Sequence, residues 1–388
     1  MKIGILTFVH AYNYGAELQC FALQRKLRNL GYNVEVLDVY RPIDPEYHHM
    51  PTDKRFIPLY HFDEKNDIKA RRNRKLSTLL RFLISPFTTV VEKRRSKSFK
   101  EFHILHTALS ARKYYNYSEL YDCQNLGYTH FIVGSDQVWN YSNGIPTEPY
   151  FLTFARDAVK VSYAASIGHS DIPQTVAEKY KEWLKDFKGI SLRESQGVKL
   201  IKEITGRQDV VHVLDPVFLL SKEEWMNYFP STNVEEQYIA VYLLSVSHYA
   251  IGIAQELAEY FKCKIKIITT KTYSQYRGKN IEIIKGESPA AFVSLFANAK
   301  FIVTNSFHGT AFAINFNKPF ITVTRRSKRV NSRFTCLFDV LSISNRLVYE
   351  DDNIKVSDYL SMDYTSINQV LTRERVISIE FLKTNLAE

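Results

Sequence analysis

The first forty residues constrain the fold more than any other stretch. Lys2 to Phe8 is a short apolar run that reads as a buried strand, and a loop follows at His10 to Ala16. From Glu17 to Leu30 the apolar residues Leu18, Phe21, Ala22, Leu27 and Leu30 recur at helical spacing, with Gly31 placed to end the helix. Val34 to Asp38 is a second strand. Parallel strands need a crossover, and a helix that covers the sheet is the usual one. A doubly wound α/β domain is therefore expected to begin at residue 1.

The pattern continues with strands predicted at Thr129–Val133, Lys160–Ala164, Gly189–Leu192 and Val211–Val213, and it restarts near Glu235. The second set comprises strands Tyr238–Leu244, Lys264–Thr269, Ile281–Ile284, Phe301–Thr304 and Phe320–Val323, with helices Tyr249–Phe261 and Pro289–Asn298. A chain of 388 residues, 45% hydrophobic, can fill two cores. The expected organisation is a Rossmann-like lobe over 1–230, a second over 231–345 and a helical tail over 346–388 that packs back on them. A basic, partly helical insertion interrupts the first lobe at about 41–109. Ligands of such folds bind in the crevice beyond the carboxyl ends of the strands, so site residues are sought just after strands.

Composition narrows the chemistry only coarsely. The 51 Lys and Arg outnumber the 41 Asp and Glu, and a net charge of +10 favours an anionic partner: a phosphorylated substrate, a nucleic acid or an acidic membrane. Cys20, Cys123, Cys263 and Cys336 are scattered, which suggests neither a disulfide framework nor a zinc site and fits a reducing cytoplasm. The apolar start is too short to span a membrane and lacks a cleavage signature, and no later segment reaches membrane length. The basic runs at Lys69–Lys75 and Glu92–Lys100 read as solvated helix faces; contact with the inner membrane face is their other reading.

Four motifs stand at the expected strand exits. In NYGAELQ, Asn13, Tyr14 and Gly15 precede a helix, where exposed amides favour an anion and Gly15 permits close backbone approach. Otherwise Gly15 makes only a turn. In GSDQVWN, Ser135, Asp136 and Gln137 offer hydrogen bonds to a polar ligand or cap a turn, while Trp139 reads as a packing residue. In SLRES, Arg193 directly follows an apolar strand, where it can grip a carboxylate or phosphate or else pair with an acid such as Asp215. In TNSFHGTAFAINFNKPF, Asn305, Ser306 and Gly309 surround His308 at the start of a helix expected near Gly309, and a histidine so placed can move a proton near neutral pH. TRRSKRVNSRF then carries Arg325, Arg326, Lys328, Arg329 and Arg333, read as a loop that lines the cleft against phosphate or is simply solvated.

NYGAELQ, GSDQVWN, YAASIG at Tyr163–Gly168, SLRES, LDPVFLL at Leu214–Leu220 and SFHGTAFAINFNKPF together resemble, in order and spacing, the bacterial polysaccharide pyruvyl transferase family, over residues 1 to about 345. The resemblance implies a glycosyltransferase GT-B-like pair of Rossmann lobes with an interdomain cleft, in a cytoplasmic enzyme. It implies phosphoenolpyruvate as donor and, as acceptor, a hydroxyl pair on a cell-surface polysaccharide repeat unit, carried on a lipid pyrophosphate. It implies no nucleic-acid partner and no metal or nicotinamide cofactor. Carried over by motif, His308 is the acid/base and Arg193 binds phosphoenolpyruvate. The family's arginine two positions before the histidine is Ser306 here, so that Arg325 or Arg326 stands in or the donor differs. Two other classes fit the same residues: a nucleotide-sugar glycosyltransferase of the same build, and a non-catalytic polyanion-binding protein.

Overall fold

The structure is a computed structural model that describes residues 1–41, 90–122, 127–230, 236–269, 276, 278–326 and 331–387. The basic run at Lys69–Lys75 lies outside these residues, as do Lys328 and Arg329.

Two parallel sheets form the frame. The first contains β1 (Lys2–Leu6), β2 (Asn33–Val39), β3 (Leu109–Tyr114), β4 (His130–Val133), β5 (Val159–Ala165), β6 (Phe187–Leu192) and β7 (Val211–His212), in the spatial order β3-β2-β1-β4-β5-β6-β7. The second contains β8 (Tyr238–Tyr242), β9 (Lys264–Thr269), β10 (Ile281–Lys285), β11 (Phe301–Thr304), β12 (Phe320–Thr324) and β13 (Leu347–Tyr349), in the order β10-β9-β8-β11-β12-β13. Both are doubly wound, with the order reversing between β1 and β4 and between β8 and β11, and at such switch points the loops diverge to leave a ligand crevice. The loops carrying Gly15, Ser135 and His308 all leave switch-point strands.

Helix α1 (Tyr14–Asn29) starts earlier than its apolar spacing suggests, because the Asn13 side chain accepts hydrogen bonds from the Gly15 and Ala16 amides. Its amino-terminal half is buried on every side, since it lies on the sheet and also against α8 (Pro289–Ala297) of the second lobe. The polar groups buried with it are partnered: Gln19 bonds Thr7 and Ser135, and Gln24 bonds Ala108. One apolar cluster crosses the lobe boundary, joining Tyr14, Leu18 and Phe21 to Phe292, Phe296 and Phe312.

Several elements depart from expectation. Residues 90–106 form a helix, α2, with one solvated basic face and an opposite face that buries Phe99, Phe102 and His103. The run Glu92–Lys100 is thus only half a solvated surface. The helices α3 (Ser118–Tyr121), α4 (Gln174–Trp183) and α6 (Lys222–Tyr228) are additions to the expected elements, whereas α5 (Ser195–Thr205) follows β6 and α7 (His248–Phe261) matches its expected range. In the second lobe α9 (Phe307–Asn315) begins two residues before Gly309, because the Ser306 side chain accepts from the Gly309 amide. Part of the supposed basic loop is the first turn of α10 (Ser332–Leu341). β13 extends the second sheet past residue 345. Helix α11 (Thr365–Leu386) returns to the first lobe and packs on β5 and β6, burying Leu382 and Leu386 there, while Leu371 joins the cluster that crosses the lobe boundary.

Candidate active site

His308 sits in the first turn of α9 and is 6% exposed. Its ring lies against the backbone of Gly15 from the other lobe: a Cβ added there would stand 2.2 Å from His308 Nδ1. That contact needs glycine. On the other side, His308 Nε2 lies 3.6 Å from Asp215 Oδ2, beyond hydrogen-bond reach, and is buried with no hydrogen-bond partner.

Asp215 caps the short 3-10 turn Pro216–Leu219, its Oδ1 accepting from the Val217 amide at 3.0 Å. Its Oδ2 accepts from Arg193 Nη1 at 2.8 Å and from Ser135 Oγ at 3.2 Å. Burial alone would raise the Asp215 pKa, but His308 and Arg193 beside it hold the carboxyl well below the usual carboxylate range.

Arg193 follows β6, and besides Asp215 its guanidinium pairs with Asp136 and Glu194, each at 3.3 Å. The ion pair with Asp215 is therefore realised, and the charge of Arg193 is committed to three carboxylates. Burial works against the charged form, yet those carboxylates win and push its pKa up. Asp136 is drawn down despite its burial by Arg193, His308 and Arg333. The motifs after β1, β4, β6 and β11 thus converge on one cluster.

The other candidates split between this cluster and its supports. The Asn13 side chain occupies the α1 amides that an anion would have used. Tyr14 is an interlobe strut: its hydroxyl donates to Glu287 O at 3.0 Å, its ring stacks on Phe292 at 4.8 Å, and burial pushes its pKa to about 12. Gln137 bonds Asn140, while Trp139 is buried against Phe151. Asn305 pins the loop after β8 through Leu244 and Ser245. Gly309 lets α9 approach β11, since a Cβ there would meet Thr304 Oγ1 at 2.4 Å. Arg325 and Arg326 stand apart, more than half exposed and paired with Glu350, Asp351 and Asp352.

The sequence offers Asp215 only as a partner for Arg193 and gives no sign of Glu194 as part of the site. Glu194 Oε1 accepts from Ser166 Oγ at 2.6 Å, while Oε2 is buried without a partner. Arg333 was one charge among five; the structure places it over the Phe307 ring at 5.8 Å, with Arg193 over the same ring at 4.7 Å. Burial and the like charge of Arg193 push Arg333 down to about 10, against the opposite pull of Glu194, Asp136 and Asp215. Among the described residues, no group of three or more His, Cys, Asp or Glu side chains is arranged to hold a metal ion, and no helix is long and apolar enough to cross a membrane.

Two doubly wound lobes with titratable groups meeting between their switch points define a GT-B-like fold. The crystal structure of Methanocaldococcus jannaschii UDP-GlcNAc 2-epimerase in complex with UDP-GlcNAc and UDP is similar to it, at TM-score 0.52 and 12% identity, over 98% of this chain and 100% of that one. A second structure of that epimerase gives 0.51 with the same identity and coverage. The Streptomyces nogalater glycosyltransferase SnogD aligns at 0.41 and 11% identity, over 99% and 97% of the two chains. No curated protein matches in sequence. The family model for polysaccharide pyruvyl transferase matches residues 13–327, and the chain belongs to that family, whose members are transferases acting on polysaccharide.

Proposed function

We propose that the protein transfers a pyruvyl group from phosphoenolpyruvate to two hydroxyls of one sugar in a cell-surface polysaccharide repeat unit, with no metal or nicotinamide cofactor. The observation that supports this best is His308: a buried imidazole, carried on one lobe, whose Nε2 lacks a hydrogen-bond partner and faces an ion-paired carboxylate of the other lobe.

His308 gives its proton to the methylene carbon of the donor, which leaves positive charge on the central carbon. A sugar hydroxyl attacks that carbon, its oxygen bonding as its proton leaves. The C–O bond to phosphate breaks, and a neighbouring hydroxyl of the same sugar adds to close a cyclic ketal. Of the two hydroxyl protons released, one restores the proton on His308 and the other leaves on the departing phosphate. Asp215, fixed by Arg193, Ser135 and the Val217 amide, is a positioning residue that attracts the imidazolium before transfer. Placement of the proton donor contributes about 10²–10⁴-fold in rate.

The test combines purified protein, phosphoenolpyruvate and a panel of lipid-linked saccharides, followed by phosphate release and by the mass gain of the ketal. His308→Gln is expected to lose about 10²–10⁴-fold in turnover with the fold intact. Undiminished turnover in that variant overturns the assignment of the proton donor. Thermal protection by a nucleoside diphosphate, with none by phosphoenolpyruvate, overturns the donor.

A further inference from the structure

We propose that Arg333 receives the anionic end of the phosphorylated donor. The identity of that anion rests on the phosphoenolpyruvate reading; the existence of the anion subsite does not.

The balance of charge around the site singles out Arg333. Arg193 is the guanidinium that the SLRES motif advertises, but it is enclosed by Asp136, Glu194 and Asp215 at 2.8–3.3 Å. One positive charge against three negative leaves −2 around it, an environment that repels a second anion. Adding Arg333 and a protonated His308 brings the sum to zero. An incoming anion is therefore drawn to the side of the cluster where those two stand, not to Arg193.

Arg333 differs from the other arginines nearby. Arg325 and Arg326 are ion-paired, Arg346 donates to backbone carbonyls and Arg375 to the Phe218 carbonyl and Asn315. Among the described residues no carboxylate lies within 4.0 Å of the Arg333 guanidinium, and its Nε is buried without a hydrogen-bond partner. Arg333 is half-buried; leaving its Nε out of water and unpaired is costly, and setting the guanidinium beside a second one adds repulsion. Its depressed pKa has that cause. A fold tolerates such a group where a ligand completes it, and a guanidinium presents parallel N–H donors that match phosphate or carboxylate oxygens.

Its position fits. The charges of Arg333, Arg193 and His308 all act on Asp136, so the three cations share one neighbourhood. The start of α9, where His308 sits, adds positive potential there. The two guanidinium groups share the Phe307 ring, at 4.7 Å for Arg193 and 5.8 Å for Arg333.

The experiment titrates phosphoenolpyruvate, inorganic phosphate and a nucleoside diphosphate into wild type, Arg333→Gln, Arg333→Lys and the exposed control Arg326→Gln by calorimetry, with turnover measured alongside. Arg333→Gln is expected to weaken phosphoenolpyruvate binding about 10- to 100-fold, the loss of charge-assisted hydrogen bonds, and to raise KM more than it lowers kcat. Arg333→Lys recovers part of this, and Arg326→Gln binds as wild type. Equal binding by wild type and Arg333→Gln overturns the inference and leaves the pyruvyl reading standing if turnover persists. Arg333-dependent binding of phosphate or nucleoside diphosphate without phosphoenolpyruvate keeps the subsite and removes the pyruvyl reading. A wild type that binds none of the anions removes both. Melting curves confirm that each variant is folded.

Discussion

Gly15 of the first lobe and His308 of the second are in direct contact, with room for hydrogen and nothing larger: a Cβ on Gly15 would lie 2.2 Å from Nδ1, 2.4 Å from Cγ and 2.7 Å from Cβ of the histidine. The backbone of one lobe thereby fixes the imidazole of the other. Gly15→Ala must push the ring away, and a displacement of about 1 Å at a reacting group costs about 10²-fold. The expected result is a fall of that order in kcat with an unchanged circular dichroism spectrum. Wild-type kcat in the variant would mean that Gly15 serves only the turn before α1.

Asp215 joins the two lobes electrostatically, since the same oxygen faces Arg193 and His308. Removing one partner of a buried ion pair costs about 3–5 kcal/mol, and Asp215→Ala should lose stability of that order in urea unfolding. The acid response follows from the direction of its pKa. The folded carboxyl binds its proton less readily than the unfolded one, so its contribution is complete above about pH 4, the unfolded value, and is lost as pH falls toward the folded value. Wild-type Tm is expected to drop steeply below that point. Asp215→Asn should start lower at neutral pH and fall less.

Arg333 gives the opposite stability prediction. A base whose folded pKa is pushed from 12.5 to about 10 sheds its proton more readily in the folded state, so its charge opposes folding throughout the range below about pH 10 and the strain eases only above it. Arg333→Met should therefore raise the neutral-pH Tm of the unliganded protein; a gain of about 1 kcal/mol corresponds to roughly 1 °C in a chain of 388 residues. A lower Tm would show that the guanidinium is supported in the absence of ligand.

The frame was legible because its signals are local. Apolar strand runs with helical spacing between them define β1 to β2 and β8 to β11, and the small-residue motifs at their exits mark the switch points. The same logic singles out His308 and Gly15 as candidates, although nothing in the sequence joins two residues so far apart. Arg193 was legible, its availability was not: whether a guanidinium is free or spent depends on Asp136, Glu194 and Asp215, which arrive from different strands. Arg325 and Arg333 look alike in a basic run. One faces Glu350 and the other faces Phe307, because 332–341 is helical, and a run rich in charge hides that turn. Asn13 and Ser306 cap helices in the structure, and the sequence does not separate a cap from a binding residue, since the two share the same chemistry.

The tail reaches the site through one serine. In α11, Ser378 Oγ accepts a hydrogen bond from the Leu214 amide at 3.0 Å, and the Tyr163 hydroxyl donates to the Leu214 carbonyl at 3.0 Å. Both backbone groups of the residue before Asp215 are thus held by side chains, one from the tail and one from β5. Ser378 is fully buried, so Ser378→Ala leaves the Leu214 amide unpaired and should cost about 1–3 kcal/mol in chemical unfolding. Because Asp215 is next in the chain, kcat should fall as well, under conditions where the variant is folded. Ser378→Thr keeps the acceptor oxygen and should restore part of both. Destabilisation with an unchanged kcat would make α11 a structural cover that has no part in positioning Asp215.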